Sequence, residues 1–534
     1  MYNSNYNPQN FEADGCASKG SCALSPDIAS LQEVIFYLIN LTANYVIKLK
    51  DFSLINDEIN FKIIDIFASL LYVSEYSEKQ MFEIVQNAYS MYSASKLRYQ
   101  SACAEKNIKN TKINEILEVN ANSSLSQVIY FGNKIITNSY TLYSDDIRNF
   151  LQIQNVVLKS ICKNISELFD FGIQDKKSIS IVVGIISDFK NLCLDKIKNN
   201  ISKLSDINSK LQSDLANALL GQYGDISEVL VSHSTRKGKC ILVSGSNFND
   251  LEKILELTKN QNIDVYTHSN LLISHSLNKF KNYPNLRGHY GRNSENCIVD
   301  YGTFPGAILL TKNSKNNTEF LYRGKIFSND YITPIGVIPV KNNDYSELIK
   351  CANESKGFKN GRQMPDSNLG FNQSDIDKLI ERIIQRFTMN KLSRLFIVGI
   401  NSFSEIQKEY FKQFFSKLKY DEFSISFYYE SDKNNVETIN IGNYVPLANF
   451  ILSKLLKNNQ YIDKIHFLFP VCDSSAISSI IRLKNIGANN LCISACSAKV
   501  VNPSVFGKFC DYYGVKILSN PSDDLKQIRK NTSQ

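Results

Sequence analysis

From Ser25 to about Tyr223, apolar positions recur at the helical period almost without interruption. Ile28, Leu31, Val34, Ile35, Leu38 and Ile39 follow Ser25-Pro26-Asp27, where a serine cap and a proline in the first turn favour a helix start. The pattern runs on through 57–73 and 77–106, breaks near 50–55 and 107–122, and resumes over 125–138, 144–171 and 177–220. Helices with one apolar stripe must bury it against one another, so this region predicts two antiparallel helical bundles in tandem.

The period changes at Gly221-Gln222-Tyr223-Gly224. Beyond it, short apolar runs at 241–245, 264–268, 307–311 and 336–340 alternate with helical patterns, the signature of a parallel sheet with crossover helices. A polar, glycine-rich stretch at 354–372 separates this series from a second. That one opens with a helix at 375–389 and has strands at 395–399, 423–429, 465–470, 490–494 and 516–519. Helices at 404–418, 444–456, 474–486 and 503–513 lie between them, and a last helix at 523–529 closes the chain. The predicted fold is α + α/β: N-terminal helical bundles followed by two doubly wound, Rossmann-like α/β domains. The boundaries fall at 1–225, 226–385 and 386–534. Within the stretch 239–276, Ser246 and Asn270 stand just beyond the carboxyl ends of two strands, where open α/β sheets bind ligands.

Composition narrows the function classes. The net charge of +8, from 60 basic and 52 acidic residues, is spread without a basic block, which argues for a solvated surface and against nucleic acid as a partner. The N-terminus has neither the basic region nor the apolar core of a secretory signal. The most apolar window, 31–47, contains Glu33 and falls short of the ~20 residues a membrane span needs. The expectation is a cytoplasmic protein with no membrane contact. Twelve cysteines at uneven spacing in such a chain predict reduced thiols rather than a disulfide framework.

Common catalytic constellations are missing. Gly245 stands alone after its strand, with no G-x-G-x-x-G, and there is no P-loop, C-x-x-C, H-E-x-x-H or G-x-S-x-G. His268, His275 and His289 suggest a metal site or a general base. His268, however, ends a buried strand with no carboxylate partner identifiable in the sequence, which favours a hydrogen-bonded structural histidine. Cys492-x3-Cys496 and Cys472-Asp473 lie at strand ends, where packing roles are favoured over a shared metal or an activated thiol. Cys16-x5-Cys22 flanks small residues before a helix, as loops around iron–sulfur clusters do, but two thiolates are half of a four-cysteine metal site.

GQYG at 221, ILVSG at 241, IDVYTH at 263, KNYPNLRGHYG at 281, FPGAILLT at 304, LFIVG at 395 and VNPSVFGKFCDYYGVKILSNPSDDLKQI at 501 follow one another in a recognisable order. In order and spacing they resemble the hybrid cluster protein (prismane, or hydroxylamine reductase) family, which is related in fold to carbon monoxide dehydrogenase; the resemblance covers essentially the whole chain. It implies a helical domain before two α/β domains, a 4Fe-4S cluster on four N-terminal cysteines, and a hybrid Fe-S-O cluster held by one His, two Glu and four Cys. It also implies reduction of hydroxylamine and nitric oxide. Carried across by motif, the family His falls on Ser246, the two Glu on Asn270 and Asp473, and the four Cys on Ser314, Asn401, Tyr429 (by a loose alignment) and Tyr444. Cys16 and Cys22 match the second N-terminal pair; where the first pair belongs, the chain has Asn3 to Asn7.

Seven of seven hybrid-cluster positions are replaced, and only Asp473 keeps the chemical type. The expectation is therefore a divergent member with vestigial site positions, no catalytic residue and no cofactor. It would act as a binding or structural partner, of a genuine hybrid cluster protein or of itself. Two alternatives stand beside it. One is a reductase with an altered metal centre built from Asp473, His268, His275 and Cys472 or the Cys492/Cys496 pair; the other is a small-molecule sensor using the vacated cavity.

Overall fold

The computed structural model describes residues 24–54, 57–109, 115–188, 192–291, 297–312, 324–330, 333, 336–401, 404–457, 459–496 and 500–531. Cys16, Cys22 and Ser314 lie outside the described residues. The chain forms two compact units. One comprises residues 1–208 with 477–481 and 496–512; the other comprises 209–476, 482–495 and 513–534.

The first unit is helical, as the period predicts: α1 (Pro26–Lys50), α2 (Asp57–Ser69), α3 (Glu78–Glu105), α4 (Leu125–Leu142), α5 (Asp145–Asp170), α6 (Lys176–Ser187) and the first half of α7 (Leu194–Tyr223). Side-chain caps fix the starts of α1, α3, α4, α5 and α6. Ser25 accepts from Ile28 N ahead of Pro26, and Ser77 and Ser124 form capping boxes with Gln80 and Gln127. α1 is buried along nearly its whole length because α3, α4 and α6 all pack against it.

The second unit holds two six-stranded sheets, parallel throughout. The first contains β2 (Lys239–Ser244), β3 (Ile263–His268), β4 (Leu286–His289), β5 (Ala307–Leu310), β6 (Ile326–Ser328) and β7 (Ile338–Pro339), in the order β4-β3-β2-β5-β6-β7. The second contains β9 (Arg394–Val398), β10 (Glu422–Ser426), β11 (Val436–Thr438), β12 (Ile465–Phe469), β13 (Leu491–Ile493) and β14 (Lys516–Ile517), in the order β11-β10-β9-β12-β13-β14. A short antiparallel ribbon of β1 (Val229–Val231) and β8 (Ser367–Leu369) completes the strands described. Helices between the strands include α8 (Phe248–Thr258), α9 (Cys297–Thr303), α12 (Lys408–Ser416), α13 (Val445–Leu455), α14 (Ser474–Asn485) and α15 (Pro503–Tyr513), of which 477–481 and 503–512 count with the first unit; α10 (Ser346–Glu354) and α11 (Gln373–Thr388) lie between the two sheets in the chain, and α16 (Pro521–Asn531) closes it. The strands β2, β3, β5, β9, β10 and β12 are buried along their length, apart from the half-buried first residues of β2 and β9, because helices cover both faces of a parallel sheet. No helix among the described residues is long and apolar enough to cross a membrane.

Candidate functional site

In each sheet, strand order reverses about the first strand of its series, β2 in one and β9 in the other, and ligands of open α/β sheets bind beyond the carboxyl ends at that point. The turn after β2 is pinned by Thr311. Its buried hydroxyl accepts from Ser246 N at 3.2 Å and Asn247 N at 3.4 Å, while the Asn247 side chain caps α8 by accepting from Asp250 N. Ser246 is buried at the foot of that turn; Asn270 is half-buried in a 3₁₀ segment, Ser269–Ser276, after β3.

The second sheet presents its own strand ends. Asn401, fully buried three residues past β9, donates from Nδ2 to Val471 O at 2.7 Å, tying the β9 turn to the β12 turn. Asp473 caps α14, accepting Ala476 N at 2.8 Å. Tyr444 immediately precedes α13, and its ring meets Phe248 edge-on at 5.3 Å between centroids. Gly442, at φ +59°, stands beside it; a Cβ there would come 2.8 Å from Ile273 N. The carboxyl end of the second sheet thus abuts the 3₁₀ segment that carries Asn270, with no room for a side chain between them.

Tyr429 does not join this group. It stacks on Phe411 at 4.7 Å, and its hydroxyl both accepts from Ser404 N and donates to Ser404 O at 3.1 Å, inside the core of the second sheet. Its neighbour Tyr428 faces the site instead. The Tyr428 hydroxyl is buried; burial, then the nearby Asp473 carboxylate, push it well above the usual phenol range. Gly399, at φ +84°, leaves space for that ring, since a Cβ would sit 2.8 Å from Tyr428 Cδ2. Both tyrosines lie in the bend after β10, which turns the two side chains to different surroundings.

The histidines form a network that spacing alone did not reveal. His268 Nδ1 pairs with Ser244 Oγ at 2.8 Å, Ser244 Oγ with Tyr301 OH at 2.7 Å, and His268 Nε2 with Asp300 Oδ2 at 3.2 Å. Asp300 is therefore the carboxylate partner that went unidentified, brought in by α9 from 32 positions away. The Thr267 hydroxyl bridges His275 Nε2 and His289 Nδ1, both at 2.9 Å, and His289 meets His233 edge-on. Burial pushes His275 down to about 4 and His289 well below the usual range, so both rings are neutral at pH 7. Four of the chain's five histidines are thus hydrogen-bonded within the fold, and His268 has the carboxylate partner that its sequence surroundings did not disclose. Among the described residues no group of three or more His, Cys, Asp or Glu side chains is placed to hold a metal ion.

The cysteines correct one expectation. Cys103, Cys162, Cys193, Cys240, Cys351, Cys492 and Cys510 are free thiols, but Cys472 and Cys496 are disulfide-bonded. Neither composition nor spacing reports a pairing made by the fold. Both sulfurs are thereby withdrawn from the altered metal centre considered above. Cys492 lies in the hydrophobic core beside Phe396 and Leu468, where burial pushes its thiol up to about 12, so Cys492 and Cys496 do not act as a pair.

A model of the Prismane/CO dehydrogenase family matches residues 9–423. The hydroxylamine reductase of Methanocella arvoryzae is 22% identical over 540 residues, covering 97% of this chain and 98% of that protein. The hydroxylamine reductase of Thermodesulfovibrio yellowstonii is 24% identical, with the same coverage. Among solved structures, carbon monoxide dehydrogenase IV from Carboxydothermus hydrogenoformans aligns with a TM-score of 0.47 and 11% identity, over 96% of this chain and 89% of that one. On the match to more than half of its length, this chain belongs to the Prismane/CO dehydrogenase family.

Proposed function

We propose that this protein keeps the hybrid-cluster-protein fold without the hybrid cluster and without hydroxylamine reductase activity, and that it serves as a non-catalytic binding or structural partner. The observation that carries this reading is what the strand ends present. Iron–sulfur chemistry calls for thiolates, whereas Ser246, Asn270, Asn401, Tyr444 and Asp473 offer hydroxyl, amide and carboxylate groups. Several are also occupied in holding the fold: Asp473 caps a helix, Tyr444 packs on Phe248, and Asn401 ties two turns together. The residues present do not fit the cluster. A partner, whether a cluster-bearing relative or a second copy of the chain, is part of the same proposal.

Metal analysis tests it. Protein expressed anaerobically with iron and sulfide is expected to be colourless and to carry substoichiometric iron, with no hydroxylamine-dependent oxidation of a reduced dye. Stoichiometric iron with broad visible absorption would sink the reading.

Asp473 separates the non-catalytic reading from that of an altered reductase. As an N-cap, its replacement by Ala is expected to lower stability by about 1 kcal/mol, with Asp473→Asn near neutral because Asn caps equally well. Denaturant titration of both variants checks this. A wild-type turnover abolished by Asp473→Asn at unchanged stability would instead give the carboxylate a chemical role.

A further inference from the structure

Asn401 carries more than its replacement of a ligand position. Its residue is fully buried, and Nδ2 is fixed on Val471 O because a carbonyl can only accept. That bond sets the amide's orientation and leaves Oδ1 as a buried acceptor with no hydrogen-bond partner among the described residues. Buried polar atoms are normally satisfied, so an orphaned acceptor points to a donor supplied from outside the chain. The surroundings match one class of donor. Asn401, Tyr428 and Asp473 follow the ends of β9, β10 and β12, which are adjacent in the sheet in the order β10-β9-β12. The Tyr428 ring covers Gly399 in the same turn as Asn401 and lies near the Asp473 carboxylate. An amide oxygen, a phenol and a carboxylate are what a primary ammonium group, with three N–H donors and a positive charge, can satisfy together; the aromatic face adds cation–π attraction.

We infer that the carboxyl ends of β9, β10 and β12 bind a small primary ammonium compound through Asn401 Oδ1, the Tyr428 hydroxyl and Asp473. This rests on the cluster-free reading of the site, since a bound cluster would occupy it. An acceptor-only anion has nothing to offer Asn401, and a quaternary ammonium brings charge without N–H donors.

The test is thermal unfolding of the full chain, with iron measured on the same sample, in methylammonium chloride, tetramethylammonium chloride and sodium formate at matched ionic strength. A saturable rise in Tm of a few degrees is expected with methylammonium alone, and Asn401→Leu should remove it. If Asn401→Leu does not fold, Tyr428→Phe serves: loss of one hydrogen bond should weaken the apparent affinity by about fivefold. Equal responses to methylammonium and tetramethylammonium, or no response at all as when an ordered water satisfies Oδ1, would overturn the inference. So would an undiminished response in either variant. Iron-loaded protein would instead overturn the reading it rests on, whereas iron-free protein without a response would leave that reading standing.

Discussion

Lowering the pH from 7 to 5 is expected to cost the folded chain about 4–6 kcal/mol of stability, through histidines that the fold keeps neutral. Burial holds His275 near 4 and His466 near 3, and it pushes His289 well below its usual value. All three shifts are downward from an unfolded value of 6.5, so the unfolded chain takes up protons first. Stability is fully present above pH 6.5 and falls as pH drops, until the folded rings protonate at about 4 or lower. Each such ring contributes about 2 kcal/mol over the interval from 7 to 5, because one proton per molecule costs about 1.4 kcal/mol per pH unit. Denaturant titrations at pH 7, 6 and 5 read this directly. A stability that stays flat over that range would mean the rings are open to water in the folded state. His466 offers the cleanest control, since its ring lies tilted against Phe396 at 5.3 Å between centroids and its Nε2 has no hydrogen-bond partner among the described residues. His466→Phe should remove about one third of the dependence while keeping the packing.

The same network marks the limit of what the chain's letters disclose. The period of Lys239–Ser244, Phe248–Thr258 and Ile263–His268 is written in the sequence, because burial of strands and of one helix face constrains every second or every third to fourth residue. Short pieces were not legible: β4 and β11 have four and three residues and depend on neighbouring strands more than on their own apolar pattern. Of the site, the strand-end places of Ser246, Asn270, Asn401, Tyr444 and Asp473 followed from the motifs around them. Asp300, which reaches His268 from another crossover, and the exchange of Tyr429 for Tyr428 did not, since both depend on which side chain a turn delivers. Asn401 is the sharpest case. Its position was legible as a replaced cysteine, but the bond to Val471 O that orients its amide exists only once β9 and β12 lie side by side.

The amino end of the second sheet should respond far more severely to mutation than the residues beyond the carboxyl ends of the strands. Glu422 opens β10 at the amino end, fully buried, and accepts a bidentate pair from Arg529, Nε at 2.9 Å and Nη2 at 2.6 Å. It also accepts Lys419 N at 2.9 Å, and Arg394, which opens β9, approaches at 3.5 Å. Burial would raise this carboxyl, yet the Arg529 bonds, the Lys419 N–H and the Arg394 charge together outweigh it and hold Glu422 below its usual value, so it is charged at neutral pH. Replacing it with Ala leaves Arg394, only 13% exposed, facing an emptied partner. Breaking one side of such a buried pair typically costs about 3–5 kcal/mol, whereas replacing a strand-end residue such as Asn270, half-buried at the other end, should cost under about 1 kcal/mol. Parallel denaturant titrations of Glu422→Ala and Asn270→Ala measure the contrast, and comparable losses in the two would contradict it. The contrast follows from where each group stands. Amino-end charges lock strands to the closing helix α16, and the fold needs them whatever the carboxyl end binds. Carboxyl-end side chains such as Asn270 stand beyond the strands and carry no such charged lock, so on the proposed reading they can vary while the two parallel sheets remain intact.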